Sequence, residues 1–201
     1  MKVSIKTPAR LHLGLIDLRG ELGRLYGGIG VAISCPNVIL EAEESPIFTI
    51  NGEKSEIVKH SVELFAKKYN VEPSVSISVK QVFPEHVGLG SGTQLKLAVA
   101  TSLARILKID ASPEELAKAV GRGSVSGIGT AVFDTGGFVV ESGVRIPKTD
   151  KATNFPPIIF HHNFPKDWVF VVAIPDVKQG LSGKREEDCC QSLKLVRGRV
   201  G

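Results

Sequence analysis

Between residues 84 and 94 the chain reads Pro84-Glu85-His86-Val87-Gly88-Leu89-Gly90-Ser91-Gly92-Thr93-Gln94, a glycine-rich loop whose two flanks constrain how it is built. On its N-terminal side Val75, Ile77 and Val79 alternate with polar residues, the pattern of a half-buried strand that ends near Phe83. From Thr93 onward Leu95, Val99, Leu103 and Ile106 recur at helical spacing, so a helix begins where the glycines end. The first N–H groups of such a helix have no intrahelical acceptor, and with the positive end of the helix dipole they attract anions. Gly88, Gly90 and Gly92 allow positive φ and close approach to an oxygen, while Ser91 and Thr93 add hydroxyls. The same residues also describe a flexible entry that merely caps a helix.

Two common phosphate loops are excluded. The P-loop needs Gly-Lys-Ser/Thr four residues after its first glycine, and no Gly-Lys pair follows Gly88. The dinucleotide fingerprint fails because Thr93 stands in place of its third glycine. At the amino terminus Val3 and Ile5, then Leu11, Leu13 and Leu15, alternate along one strand, which puts Arg10, His12 and Gly14 on the opposite face. Arg10 and His12 side by side suit an anion or carboxylate clamp. Gly23-Arg24-Leu25-Tyr26-Gly27-Gly28-Ile29-Gly30 follows as a turn or a close backbone approach to a ligand.

The loop resembles the second signature of the GHMP kinase superfamily, Pro-x-x-x-Gly-Leu-Gly-Ser-Ser-Ala, through Pro84, Gly88, Leu89, Gly90 and Ser91; Gly92 and Thr93 depart from it. Pro8-Ala9-Arg10-Leu11-His12-Leu13-Gly14-Leu15-Ile16-Asp17 resembles the β-ribofuranosylaminobenzene 5′-phosphate synthase branch of that superfamily, which belongs to methanopterin biosynthesis. Gly121-Arg122-Gly123-Ser124-Val125-Ser126-Gly127-Ile128-Gly129-Thr130, Gly136-Gly137-Phe138-Val139-Val140 and Gln179-Gly180-Leu181-Ser182-Gly183 extend the resemblance over most of residues 3 to 183.

Composition narrows the partners. The 201 residues hold one good core, or one domain with part of another. No apolar run reaches membrane length and the charged, alternating start is unlike a signal peptide, so the cytoplasm is the expected compartment and no membrane partner is expected. A formal net charge of +4 without a dense basic block, and with few aromatic residues to stack on bases, favours polyphosphates over nucleic acid. Cys35, Cys189 and Cys190 fit neither a disulfide framework nor a zinc site.

Elsewhere a strand is expected over 31–43, a short strand ending in an Asn-Gly turn over 48–53, and an amphipathic helix over 55–68 with His60 on its flank. Ser112-Pro113-Glu114-Glu115 is a helix start, with N-cap, Pro at the first helical position and a capping-box Glu. Residues 123–143 read as two strands around Gly136-Gly137, the proline-rich stretch 147–165 as a loop or crossing, and Trp168-Val169-Phe170-Val171-Val172-Ala173-Ile174 as a buried strand. The domain reading is 1–165 for a first domain carrying the loop and 166–201 for the start of an incomplete second one.

The resemblance implies an α+β fold like the second domain of ribosomal protein S5, a mostly antiparallel sheet with helices packed on it. It implies a transferase that condenses phosphoribosyl pyrophosphate with 4-aminobenzoate or 4-hydroxybenzoate, releasing carbon dioxide and pyrophosphate, with Mg²⁺ on the polyphosphate. On that footing Gly88, Leu89, Gly90, Ser91, Gly92, Thr93 and Gln94 would cradle phosphate. Arg10, Tyr26, Gly28, Arg122 and Ser126 would bind substrate, and Asp17, His12 and Arg24 would carry catalysis. Asp17 equally suits a turn cap, His86 ranks below His12 as a proton handler, and Asp134 is the carboxylate nearest the third glycine-rich segment in sequence. The alternatives are an ATP-dependent small-molecule kinase on the same loop and an inactive anion-binding fragment; a homodimer is left open.

Overall fold

The alternating start folds into a long antiparallel hairpin, β1 (Lys2–Asp17) and β2 (Arg24–Glu44). This is a computed structural model, and it describes residues 1–123, 125–146 and 155–174. The segment 179–183, the tail beyond it and Cys189 and Cys190 lie outside the described residues, as does Ser124. β3 (Thr49–Gly52) runs parallel to β4 (Val75–Gln81), which pairs antiparallel with the C-terminal half of β2. β5 (Phe138–Glu141) pairs with β2 between Gly28 and Val31, β6 (Val144–Arg145) pairs with Arg24 and Leu25, and β7 (Ile158–His162) adds to β5. The sheet order is β3-β4-β2-β5-β7, with β1 and β6 also on β2. The expected α+β architecture, mostly antiparallel, is what forms.

The helices are α1 (Ser55–Tyr69), α2 (Ser91–Ile106), α3 (Pro113–Ala119) and α4 (Ile128–Thr135). α2 touches α1, α3, α4, β1 and β2, and twelve of its 16 residues are buried, so it must be apolar on nearly every side. Leu95, Ala98, Val99 and Leu103 meet Val38, Leu40 and Ile77 of the sheet and Phe65 of α1 in one core cluster. α3 starts with the capping box expected of it: Ser112 Oγ accepts the Glu115 N–H and the Glu115 carboxylate accepts the Ser112 N–H. Among the described residues no helix is long and apolar enough to cross a membrane.

Several expectations are corrected. Residues 128–135 form a helix and not a strand, because Ile128 and Val132, one turn apart, both go into a small core with Val139. Gly136, at φ 66, then ends that helix. The stretch read as a loop contains β7, whose backbone finds its partners on β5. Trp168–Ile174 is neither a strand nor buried: Val169 is 85% and Val171 95% exposed, and an apolar run is buried only where another layer covers it. The short strand expected over 48–53 is β3, and the turn after Gly52 leads into α1. In β1 the parity breaks at a bulge between His12 and Gly14, so Leu13 and Leu15 come out exposed while Leu11 still packs on the core.

Where α4 crosses α2, Gly129 faces Thr93: a Cβ on residue 129 would lie 2.9 Å from Thr93 Cγ2. Gln94 Nε2 donates to the Gly129 carbonyl at 2.9 Å across the same crossing. Gly129→Ala is therefore expected to lower the unfolding free energy by about 1–2 kcal/mol, overpacking outweighing the helix-propensity gain of up to about 1 kcal/mol. Thr93→Ser removes the clashing methyl and should recover most of that loss in the double variant; urea denaturation of the four-member cycle measures it.

Candidate functional site

The loop between β4 and α2 is stitched to β1. The Arg10 N–H donates to the Leu89 carbonyl at 2.9 Å, and the Leu89 side chain is sunk in the core. Gly88 and Gly90 take positive φ, 80 and 77, as expected. Gly90 is the N-cap of α2, and its missing side chain leaves room for Arg10: a Cβ there would be 3.1 Å from Nε and 3.2 Å from Nη2. The guanidinium thus lies against the start of the helix. Thr93 and Gln94 N–H groups both donate to the Gly90 carbonyl, which leaves the Ser91 and Gly92 N–H groups as the helix-end donors without an intrahelical acceptor. Gly92 lies within the helix and has ordinary φ; what its lack of a side chain admits is Glu85, whose Oε1 would be 3.0 Å from a Cβ.

Among the loop residues expected to meet phosphate, several side chains turn inward. Ser91 is buried and its hydroxyl donates to the Pro84 carbonyl at 3.2 Å, holding the loop closed. Thr93 faces Gly129, and Gln94 is fully buried with its amide on the Gly129 carbonyl. What the loop offers an anion is backbone N–H and Arg10.

Around Arg10 a second group assembles. His12 lies next but one on β1, Gly28 on β2 pairs with Glu141 at the end of β5, and Ser126 and Gly127 lead into α4. Glu141 is completely buried; its Oε2 accepts the Gly127 N–H, and its carboxylate also interacts with Ser126. Burial pushes the Glu141 carboxyl above the usual range, against the opposing pull of the Ser126 hydroxyl, the Gly127 N–H and the Arg10 charge. Burial, then the Arg10 charge, lower His12 to about 4, so at neutral pH its ring is uncharged and has one nitrogen free of a proton. Position 28 needs glycine, since a Cβ would sit 3.1 Å from Glu141 Oε1, 3.3 Å from Ile128 and 3.4 Å from His12 Nε2.

Glu141 was not anticipated. The signal was there: Val139 and Glu141 share one parity of β5, so once Val139 faces the core the carboxylate must too. Asp134, singled out instead, is exposed near the far end of α4.

A third group flanks the loop. Lys54 pairs with Glu85 at 3.0 Å, and Lys96, one turn along α2 from Gly92, is half-buried. Burial and the neighbouring Arg122 charge lower the Lys96 ammonium, partly offset by Glu85. Arg122 therefore belongs to this side of the loop, apart from Arg10. His86, exposed at φ 61, is a loop residue.

Asp17, Arg24 and Tyr26 are placed elsewhere. Seven residues along β1 from Arg10, at about 3.3 Å per residue, put Asp17 roughly 20 Å away at the hairpin tip. There Asp17 Oδ1 accepts the Arg19 and Gly20 N–H groups at 2.7 and 2.8 Å, which hold its carboxyl below the usual range, and Asp17 pairs with Tyr26 in the ladder. Arg24 Nη1 donates to the Gly143 carbonyl at 2.7 Å and so ties the hairpin to the turn after β5. The turn-capping role of Asp17 is the one this geometry displays. A surface depression of about 510 Å³ lined by Glu44, Pro46, Glu72 and Ile106 sits at the opposite end of α2 and touches none of these residues.

The family described as GHMP kinases N terminal domain matches residues 56–140. A curated β-ribofuranosylphenol 5′-phosphate synthase of Methanothermobacter thermautotrophicus is 37% identical over 95% of this chain and 63% of its own length. The protein of the same name from Methanocaldococcus jannaschii is 36% identical over 92% of this chain and 62% of its own. The chain thus spans a little over three-fifths of these relatives. In fold it is similar to the phosphomevalonate kinase of Streptococcus pneumoniae, with TM-score 0.57 and 14% identity over 72% of this chain and 49% of that one. The mevalonate kinase of Methanococcus jannaschii gives TM-score 0.54 and 16% identity over 70% of this chain and 53% of that one.

Two outcomes are expected of these residues. Gly90→Ala strains a positive φ and pushes on Arg10, so it should weaken inorganic pyrophosphate binding by about 10-fold or more, read by isothermal titration, with the fold retained by circular dichroism. For His12 the unfolded chain takes up a proton near 6.5 that the folded chain refuses until about 4, so stability should fall as pH drops through that window. His12→Phe should flatten this slope, and an NMR titration of His12 with a midpoint near 6.5 would contradict it.

Proposed function

We propose that this chain, whose residues 56–140 match the N-terminal domain of the GHMP kinases, belongs to that superfamily and that its glycine loop serves a synthase of the kind its archaeal relatives are named for. The observation that carries this is identity of 36–38% with three such synthases over 92–95% of the chain. The reaction joins phosphoribosyl pyrophosphate to a para-substituted benzoate, 4-hydroxybenzoate or 4-aminobenzoate, with loss of carbon dioxide and pyrophosphate. The kinases of similar fold share less than a fifth of their residues with it, so they support the fold alone.

The residues present suit that chemistry. The Ser91 and Gly92 N–H groups at the α2 terminus and the Arg10 guanidinium offer donors to pyrophosphate oxygens as negative charge develops on the leaving group. Lys96 and Arg122 add positive charge on the other side of the loop, where a second phosphoryl group of the same substrate would lie. Among the described residues no cluster of three or more carboxylate, imidazole or thiol groups forms a dedicated metal cage. Mg²⁺ commonly binds through substrate phosphates, water and one or two carboxylates, and Glu85 is the carboxylate set against the loop. Bound there, the ion would neutralise polyphosphate charge.

Titration of the chain with phosphoribosyl pyrophosphate and with ATP, Mg²⁺ present in both, should show the tighter binding for the ribosyl donor. Carboxyl-labelled 4-hydroxybenzoate should then release labelled carbon dioxide in its presence. Tight ATP binding without any for phosphoribosyl pyrophosphate would favour a kinase instead.

A further inference from the structure

A buried carboxylate oxygen that lacks a partner carries a cost of a few kcal/mol unless something donates to it. Glu141 Oε1 is such an atom: it accepts no hydrogen bond within the described residues, although Oε2 of the same group is bonded to the start of α4. His12 Nε2 stands against the same Gly28 position, 3.4 Å from where a Cβ would be, against 3.1 Å for Oε1. Glycine at that position keeps the approach between the two atoms clear. Among the described residues the charged and titratable groups that bear on them are Arg10 and His12 on β1 and Glu141 on β5; the start of α4 and the turn before it present Ser126, Gly127 and Ile128. Beside them the hairpin exposes Leu13, Leu15 and Ile16, and Ile16 lies over Gly27, 3.4 Å from its Cβ position. Two acceptors thus sit next to an apolar surface, with the Arg10 cation within reach.

We propose that Glu141 and His12 are the acceptor pair for the para substituent of the aromatic co-substrate, a phenol-type O–H or an aniline-type N–H, with the ring lying against the hairpin. The assignment rests on the synthase reading above and adds to it the residues that choose the arene. In the reaction the para group, hydrogen-bonded to the pair, pushes electron density toward the ring carbon that bears the carboxylate. That carbon bonds to C1 of the ribose while the C1–oxygen bond breaks and its electron pair leaves with pyrophosphate. The bond to the carboxylate then breaks, its pair restores the ring, and carbon dioxide departs. A proton shared with the pair returns to the para atom, so no net proton is exchanged there.

The test compares binding of 4-hydroxybenzoate, 4-aminobenzoate and 4-methoxybenzoate to the chain by isothermal titration, with inorganic pyrophosphate and Mg²⁺ present. The methoxy compound accepts hydrogen bonds and donates none, so it should bind about 10-fold more weakly than the other two. Glu141→Gln places an amide donor in the site and should erase or invert that preference while pyrophosphate affinity stays within about twofold. A purely structural role for Glu141 would weaken all three benzoates alike. Should Glu141→Gln fail to fold by circular dichroism, His12→Phe, at a partly exposed position, reads the same preference. Equal binding of the three benzoates by the unaltered chain, or an unchanged preference in the folded variants, overturns the acceptor pair and leaves the synthase reading standing. Binding of pyrophosphate with no benzoate binding at all overturns both.

Discussion

One backbone hydrogen bond, from the Arg10 N–H to the Leu89 carbonyl, brings the amino-terminal strand and the glycine loop together. Residues almost eighty positions apart in sequence become neighbours through it, and the Arg10 side chain is left against Gly90 at the start of α2. Leu89 anchors the loop in the core and Ser91 ties it back to Pro84, so the loop has little freedom of its own. The helix that follows is buried on almost every side and cannot shift to suit a ligand. A helix end held this firmly keeps its free N–H donors in a fixed arrangement.

The second constraint is electrostatic. Arg10 acts on both His12 and Glu141 in a partly dry interior, where an uncompensated charge is costly. Arg10 keeps its charge under all ordinary conditions, and the other two adjust around it: the imidazole stays neutral, and the carboxyl is pulled one way by burial and the other by Arg10 and the α4 terminus. The positive end of the α4 dipole is answered internally by the Glu141 carboxylate, whereas the positive end of α2 has the like charge of Arg10 set against it at Gly90, so positive potential accumulates there. Two glycine-rich helix starts of similar composition therefore differ: one holds the protein's own acid, and the other has a cation set against it.

Much of this was legible in the sequence because it depends on short spacings. The β4–loop–α2 unit, the α3 capping box at Ser112 and the pairing of Arg10 with His12 on one strand face all follow from two periodicities and the chemistry of caps. What escaped were features set by partners distant in the chain. The helix at 128–135 hid among glycines because it is short, with Ile128 and Val132 as its fully buried apolar side chains, and glycine content suggested strands. The exposure of Trp168–Ile174 is likewise invisible to composition, since an apolar run is the same whether or not a layer covers it. The inward turn of Thr93 and Gln94 depends on Gly129 standing opposite.

By itself the sequence determined that a strand, a glycine turn and an apolar helix follow one another, and therefore that a helix end with unpaired N–H groups exists near Gly90. Only the tertiary structure decided which side chains attend that end. Arg10 arrives there because β1 runs beneath the loop. Glu141 and His12 both reach the Gly28 position because β2 lies between their strands and carries a glycine there. Asp17 and Arg24 are carried away to the hairpin tip by the length of the same strand. The reason is physical: backbone torsion and hydrophobic period are local and can be read in order, whereas the company a charge keeps is fixed by sheet register and helix crossing.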